Sequence, residues 1–432
     1  MNRKINTNIA LRMNWLSSSR STDGKEMNSG NIKVLLIFLI LSLTGNLIAG
    51  GSDDITLSGE TEAKEQITII RQLPVTPVRD QYKTSTCWSF STISLLESEL
   101  LRTGRGEYDL SEMFIVHQNY IRKAKKYVRM HGKINFAPGG ESNDVVDIIA
   151  SYGIVPEDIY SGLKVDSEKH IHSEMDKVLE EYVDAVVTNP DNKLSDVWED
   201  GFKKVLDSYL GEMPESFNYK GENYTPSSFY DQLGIDPDDY IMITSFIHVP
   251  FYQPFILEIP DNWSWEESYN VPLDELTQIM DSALYSGYSV AWAADVSEEG
   301  FNFKKGFAVV PKIIYGSYSE REMEKWSEKT TEEKEEIMFN MKKPVKELEV
   351  TPENRQKAFD NYSTTDDHGM HIVGIARDKN ARKFYYVKNS WGIDNPFNGY
   401  LFVSDAYFRY KTISVMLHKE AIPMNIAKKL NL

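Results

Sequence analysis

The sequence predicts an α+β fold, and three stretches carry that prediction. Apolar residues recur at helical spacing from Trp88 to Leu101, so the chain is expected to form a helix from about Cys87. Segments 368–376 and 383–391 have the composition of two strands and are joined by a turn at 378–382. Segment 272–287 has a second helical stripe and runs directly into a strand-like segment at 288–296. Helices and a β-hairpin are therefore expected in one chain.

The composition is that of a folded, acidic protein. Of the 432 residues, 41% are hydrophobic and 12% aromatic, which is ample material for a core. The net charge of −18 argues against a nucleic-acid partner, because such binding needs clustered Lys and Arg. The single cysteine excludes an internal disulfide, and no His/Cys cluster suggests a metal site. No cofactor and no metal ligand are predicted.

The first 49 residues are predicted to be a leader with a signal peptide. Lys33 precedes an apolar run at 34–43, and small residues surround Ala49. The run is shorter than the roughly 20 residues of a membrane-spanning helix, so the protein is expected to be exported, periplasmic or secreted. Anchoring to a membrane by an uncleaved leader is the alternative. Met1 and Met27 are both candidate starts.

The rest of the chain is predicted to be a linker followed by one main domain. Residues 50–70 are polar and form the expected linker, and 71–432 form the expected domain. An extended segment with two prolines precedes Cys87. Ser85 or Thr86 can cap the helix that starts at this cysteine, and Gly104 can end it.

The cysteine is either a reactive thiol or an inert buried one. A helix amino terminus stabilises a thiolate, which favours the reactive interpretation, but position alone leaves the two equally open. A thiolate nucleophile also needs a histidine base and a group that orients this base. His368 and His371 lie on one predicted strand, and the hairpin can bring Asn389 beside one of them. The alternative is a pair of surface histidines and a turn-forming asparagine.

Five separated motifs resemble those of the papain-like cysteine peptidases. The stretch "QYKTSTCWSFS" at 81–91 is similar to the segment of the catalytic cysteine, and "DHGMHIVGI" at 367–375 to that of the histidine. "NSWG" at 389–392 matches the asparagine segment. "LSEMF" at 110–114 and "APGGESNDVVDIIASYGIVPEDIY" at 137–160 resemble two further family segments. The resemblance implies a cysteine peptidase with a two-lobed fold, one lobe helical and the other β-barrel-like.

The resemblance also implies the roles of individual residues. Cys87 matches the nucleophile, His368 the base, Asn389 the residue that orients the base, and Gln81 the side chain of the oxyanion hole. A second set would border the substrate: Gly139, Gly140 and Trp391, of which Trp391 would also cover the His–Asn hydrogen bond.

Two neighbours of the base have no firm role in this comparison. His371 is expected on the outward face of its strand, without a catalytic role. For Asp367, a supporting role and a solvated turn position are both open.

The sequence departs from papain in two places. Papain has a disulfide between the positions that match Thr84 and the neighbourhood of Ala137, so this chain must brace the same groove by other means. An insertion of about 164–350 separates the two halves of the fold. Segments 224–245, 269–300 and 350–370 within and after it resemble the branch of bleomycin hydrolase and aminopeptidase C.

That branch implies an aminopeptidase acting on peptide substrates through a thioester acyl-enzyme. Its members form hexamers and carry a carboxyl-terminal arm in the groove. Here the chain stops soon after Pro423, so a homo-oligomer is possible but a hexamer is doubtful. An endopeptidase with an open groove is the alternative, and an inactive peptide-binding module is the remaining one.

Overall fold

The computed structural model describes residues 66–164, 168–191, 193–316 and 318–432. The predicted leader with its apolar run, both candidate starts and most of the predicted linker lie outside these residues. The linker predicted over 50–70 is too long at its end, because residues 67–70 belong to the first strand. Within the described ranges, no helix is long and apolar enough to cross a bilayer.

Helices and strands both occur along the chain, as the sequence predicts. The helices are α1 (Cys87–Arg102), α2 (Glu112–Arg129), α3 (Ser142–Tyr152), α4 (Ser173–Val187), α5 (Val197–Leu210), α6 (Pro226–Leu233), α7 (Leu273–Ser286), α8 (Lys312–Tyr315), α9 (Glu320–Ser327), α10 (Thr331–Met338), α11 (Pro352–Asp360), α12 (Asp405–Lys411) and α13 (Met424–Leu430). The strands are β1 (Ile67–Gln72), β2 (Phe217–Tyr219), β3 (Glu222–Tyr224), β4 (Tyr240–Thr244), β5 (Pro254–Ile256), β6 (Glu267–Asn270), β7 (Val290–Ala294), β8 (Phe301–Asn302), β9 (Phe307–Ala308), β10 (His368–Asp378), β11 (Lys383–Lys388), β12 (Tyr400–Ser404) and β13 (Thr412–His418).

One large sheet organises the second half of the chain. Its strand order is β5-β6-β4-β13-β7-β10-β11-β12-β9-β8, and β1 pairs with the distal part of β10. The predicted hairpin is confirmed as β10 and β11, which pair antiparallel with a register shift between Ile372 and Gly374. Gly374 lets β1 approach closely, because a Cβ atom at this position would overlap the carbonyl oxygen of Arg71. The site strand β10 is thus held on both sides.

A helical core forms the other main packing unit. Helix α1 begins at Cys87 and contributes Trp88, Phe90 and Leu96 to it, together with residues from α2 to α6. Thr86 occupies the N-cap position, although its side chain makes no capping hydrogen bond. A separate apolar cluster surrounds the central strands β7, β10, β11 and β13. Burial of both sets removes a large apolar area from water, and this fixes α1 and the sheet as rigid supports.

The predicted insertion contributes to both packing units. Helices α4, α5 and α6 pack in the helical core, whereas β4 and β7 are strands of the large sheet. The charged stretch at 319–343 forms the short helices α9 and α10, most of whose charged side chains are exposed.

Candidate active site

Cys87 is the first residue of α1, so its own N–H group has no partner inside the helix. The strand β10 meets the helix at this point. A Cβ atom on Gly369 would lie 2.8 Å from Ser91 Oγ and 3.1 Å from the carbonyl oxygen of Cys87. Backbone N–H groups of Gly369 and Trp88 donate to the Cys87 sulfur. The absence of a side chain at residue 369 therefore lets the strand touch the helix end that carries the thiol.

His368 and Asn389 form a hydrogen-bonded pair across the hairpin. The distance from His368 Nε2 to Asn389 Oδ1 is 2.7 Å, and both side chains are buried. Ser390 N–H also donates to Asn389 Oδ1, which sets the orientation of the amide. An oxygen acceptor at this position requires the proton on Nε2 and leaves Nδ1 free to accept a proton. Trp391 stacks on the imidazole, with 4.5 Å between ring centroids, and covers the pair.

Gln81 is fixed at the cleft by two hydrogen bonds. Its Oε1 accepts from Ser390 Oγ at 2.6 Å, and its Nε2 donates to the Thr84 carbonyl oxygen at 2.9 Å. An amide nitrogen has two hydrogens, so one donor remains for a ligand in the cleft. Ser390 thereby links the orientation of Gln81 to that of Asn389, a connection that the sequence motif does not reveal.

A cavity of about 370 Å³ unites these groups. It is lined by six of the predicted site residues, Gln81, Cys87, Gly139, Gly140, His368 and Trp391. The seventh, Asn389, is buried behind His368. The structure therefore brings all seven predicted residues together, although 302 positions separate Cys87 from Asn389 (389 − 87).

Two neighbours of His368 also have defined positions. His371 was expected on the outward face of its strand, and this is wrong: its side chain is buried against α1, with Nδ1 2.9 Å from Ser94 Oγ. Asp367 accepts hydrogen bonds from the N–H groups of Val296 and Ser297 and from the Thr365 hydroxyl. It therefore ties the start of β10 to the loop after β7.

Carboxylates dominate the charged lining of the cleft. Asp261, Asp366, Asp367 and Glu141 border the cavity, and no Lys or Arg is among the lining residues in the described part of the chain. Asp366 and Glu141 are hydrogen-bonded to each other. Burial, the Asp261 charge and Asp367 raise the pKa of Asp366 to about 7. Burial and Asp366 hold the pKa of Glu141 well above its ordinary value, so the pair retains a proton in mildly acidic solution.

Only some of these carboxylates could have been predicted from the sequence. Glu141 and Asp366 stand next to recognised motif residues, so a search of motif neighbours could have found them. Asp261 comes from the predicted insertion, far from any motif, and its position over Gly139 follows only from the tertiary fold.

The thiol and the imidazole are both neutral in the free cleft. Burial, together with Asp366 and Asp261, raises the pKa of Cys87 to about 12. Burial lowers the pKa of His368 to about 4, against the opposing effect of Asn389. Transfer of a proton from sulfur to imidazole leaves the pair's total charge unchanged, so the pair can ionise together when a substrate is attacked.

Two family models match the chain on either side of its middle region. The model of the papain family of cysteine proteases matches residues 65–197, which include Gln81 and Cys87. The model of the Peptidase C1-like family matches residues 315–432, which include His368 and Asn389.

The chain is a papain-like cysteine peptidase.

Several bacterial aminopeptidases are similar to this papain-like chain over most of its length. Aminopeptidase G of Lactobacillus delbrueckii subsp. lactis is 22% identical over 81% of this chain and 82% of its own. Aminopeptidase C of Lactococcus lactis subsp. cremoris is 19% identical over 80% and 81%. Aminopeptidase C of Listeria monocytogenes is 21% identical over 90% and 91%. The match extends through the predicted insertion, which supports the placement of this chain in the aminopeptidase C branch.

A solved structure shares the fold of this peptidase. The crystal structure of PepW from Lactobacillus rhamnosis HN001 aligns with a TM-score of 0.64 at 18% identity and covers 86% of each chain. This likeness supports the papain-like α+β fold. Within the described residues, no group of three or more His, Cys, Asp and Glu side chains is arranged to hold a metal ion.

The raised pKa of Asp366 predicts a pH-dependent effect of Asp366→Asn on stability. The folded pKa of about 7 lies above the unfolded value of about 3.9, so wild-type stability falls as pH rises between these values. The variant lacks this loss. Relative to wild type, its free energy of unfolding should therefore increase by about 1 kcal/mol or more between pH 4 and pH 8, as measured by urea denaturation.

The exposed Asp394→Asn variant is the control for this measurement. Its difference from wild type should be the same at both pH values. A difference for Asp366→Asn that stays constant or falls between pH 4 and pH 8 would contradict a raised pKa at this position.

Proposed function

We propose that this cysteine peptidase is an aminopeptidase, which removes residues from the free amino terminus of peptides through a thioester acyl-enzyme. The observation that carries the proposal is the position of Asp261 over Gly139, because both residues line the same cavity as Cys87. The names of the similar bacterial proteins support the same activity.

The reaction begins with attack of Cys87 Sγ on the carbonyl carbon of the first peptide bond. The thiol proton moves to Nδ1 of His368, and the new oxyanion accepts hydrogen bonds from the Cys87 N–H group and the remaining Gln81 N–H group. Donors of this kind typically contribute a factor of about 10² to 10³ in rate. His368 then gives its proton to the departing amine, and the carbon–nitrogen bond breaks.

Hydrolysis of the thioester completes the cycle. A water molecule gives a proton to His368 and adds its oxygen to the acyl carbon. The carbon–sulfur bond then breaks, the proton returns to the sulfur, and a free amino acid or short peptide leaves. The hydrogen bond from His368 Nε2 to Asn389 holds the ring in one tautomer through both half-reactions, which is the contribution expected of Asn389.

The cleft favours a substrate with a positive charge at its amino end. The Asp261 carboxylate occupies the space beside Gly139, where a Cβ atom would overlap it. A peptide that extends past Gly139 and Gly140 as an added strand would meet this carboxylate. A free ammonium group at the same place would instead form a charge-assisted hydrogen bond, which is typically worth about 1.5–3 kcal/mol.

Endopeptidase activity is the second candidate. The carboxyl-terminal helix α13 packs beside α7, where Lys429 donates to Glu275 and Tyr252. Among the described residues, none from 424 to 432 lines the cleft cavity. Asp261 is thus the residue that would stop a longer peptide on the amino-terminal side of the cleaved bond. A peptide that extends past Asp261 could be cut internally. A binding module without activity is disfavoured, because every proposed catalytic position holds a competent side chain.

Three further features of the sequence prediction are part of this proposal. The helical core that carries Cys87 and the sheet that carries His368 support a two-lobed arrangement with the active site between the lobes. Export remains a prediction from the apolar run at 34–43. Association of several copies is likewise a prediction from the resembled branch.

Paired fluorogenic peptides test the proposed activity. The two substrates are identical except for a free or an acetylated amino terminus, and both are incubated with wild type and with Cys87→Ala. We expect cleavage of the free form alone, with loss of at least 10³-fold in the variant because the nucleophile is missing. Cleavage of both forms would establish the endopeptidase instead, and cleavage of neither would establish the binding module.

Asp261→Asn tests the recognition of the amine. Loss of the carboxylate charge should raise KM for the free-amine substrate about tenfold, which corresponds to about 1.4 kcal/mol, and leave kcat within a few-fold. The matched control is Glu258→Gln, an exposed carboxylate of the same segment that does not line the cavity. An unchanged KM for Asp261→Asn, or an equal rise in the control, would show that Asp261 does not bind the amine.

A further inference from the structure

The cleft wall at 137–141 raises a structural question. Residues Ala137 to Glu141 all line the cavity, yet they precede helix α3 and form no regular element themselves. The papain disulfide that the sequence comparison places near this wall is absent, because Cys87 is the chain's single cysteine. Another interaction must therefore hold the wall at a fixed distance from the nucleophile.

Lys123 makes hydrogen bonds that hold the cleft wall. It lies on α2, and its side chain is only 1% exposed. Its Nζ donates to the carbonyl oxygen of Ala137 at 2.7 Å and also to that of Gly139. One buried ammonium group, which does not itself line the cavity, thus binds two carbonyl groups of the cleft wall.

The surroundings of this ammonium fit a permanent structural role. Trp263 lies with its ring centroid 5.5 Å from Lys123 Nζ and donates from its indole nitrogen to Asp144. Burial lowers the pKa of Lys123 to about 8, while the nearby charges of Asp144 and Asp261 oppose the shift. A buried charge is costly unless it is hydrogen-bonded and compensated by opposite charge, and here the ammonium donates to two carbonyl groups and has Asp144 and Asp261 nearby.

Lys123 donates to the carbonyl groups of Ala137 and Gly139, and in the described part of the chain the polar backbone groups of Gly140 stay free for a ligand. Among the described residues, neither the backbone N–H nor the C=O group of Gly140 has a hydrogen-bond partner. Gly140 packs against Trp88, which itself donates to the Pro138 carbonyl oxygen at 3.3 Å. The wall is therefore tied to α1 by Trp88 and to α2 by Lys123. Within the described ranges, the N–H and C=O groups of Gly140 and the N–H group of Gly139 are left for a ligand.

We propose that Lys123 is a positioning residue that fixes the wall 137–140 and thereby presents the Gly140 peptide group to the substrate backbone. It takes the bracing role that a disulfide would otherwise fill. This inference rests on the proposed function, in which a peptide pairs with Gly139 and Gly140. Lys123 itself does not line the cavity and does not touch the reacting atoms.

The test compares three variants of the full chain. Lys123→Met removes the donor and keeps the length of the side chain, and Lys123→Gln keeps a shorter neutral donor in case the first variant does not fold. Lys126→Met is the matched control, because Lys126 lies on the same helix and also donates to a backbone carbonyl, that of Ser264. The measured quantities are KM and kcat for the free-amine peptide, and the rate at which iodoacetamide alkylates Cys87.

A positioning role predicts that KM changes while kcat and the alkylation rate stay nearly constant. KM should rise about tenfold in Lys123→Met and less in Lys123→Gln, while kcat stays within about threefold of wild type. Alkylation of Cys87 should stay within about twofold, because it depends on the thiol and His368 and not on the wall. The Lys126→Met control should match wild type in all three quantities.

Other results would overturn the inference. An unchanged KM in both Lys123 variants would show that the wall does not need this lysine. A parallel loss of alkylation and of kcat/KM would show that Lys123 supports the whole fold and not the wall. Failure of the proposed function is distinguishable, because then the wild-type protein itself would not cleave the peptide.

Discussion

The active site depends on one close contact, that between Gly369 of β10 and the first turn of α1. Helix α1 belongs to the helical core and β10 to the sheet, so this contact joins the two main packing units at the thiol. Any larger side chain at residue 369 would meet Ser91 and the Cys87 carbonyl group. His368, the proposed base, precedes this glycine directly in the chain, so the packing of the helix on the strand brings it to the cavity that Cys87 also lines.

The hairpin adds the second constraint. The pairing of β10 with β11 ends with His371 opposite Lys388, so His368 and Asn389 both lie just beyond the last pair, where their side chains form a hydrogen bond. Ser390 then connects the asparagine to Gln81 on the other side of the cleft. The hairpin and the Ser390 link thus hold His368, Asn389 and Gln81 together, and pre-organisation of this kind would lower the cost of reaching the transition state in the proposed reaction.

The charged side chains near the cleft differ in sign according to whether they line the cavity. Carboxylates line the cavity, whereas the buried Lys123 donates to the wall and does not line the cavity. The cavity therefore presents negative charge to a substrate without bringing a cation into contact with it. An inward field of this sign attracts a peptide ammonium group and repels the carboxyl end, which agrees with an aminopeptidase.

The sequence predicted which residues meet at the candidate site, and the local elements that carry them, because each depends on short-range pattern. Cys87 at a helix start and the strands around His368 and Asn389 follow from periodicity and motif. The burial of His371 against α1 was missed, because strand alternation shows opposite faces but not which face is covered. Asp261 and Lys123 were missed for a related reason. Their partners lie elsewhere in the chain, and only tertiary packing brings them to the wall at Gly139.

The most direct test of the central claim is the reactivity of Cys87 toward an epoxysuccinyl peptide inhibitor, followed by mass spectrometry. Since the chain has one cysteine, every thiol adduct reports on this position. The catalytic assignment predicts one adduct per chain, formed at least 10²-fold faster in wild type than in His368→Ala or in the denatured protein. A labelling rate equal to that of the denatured chain, or one unaffected by His368→Ala, would contradict the assignment of Cys87 and His368 as nucleophile and base.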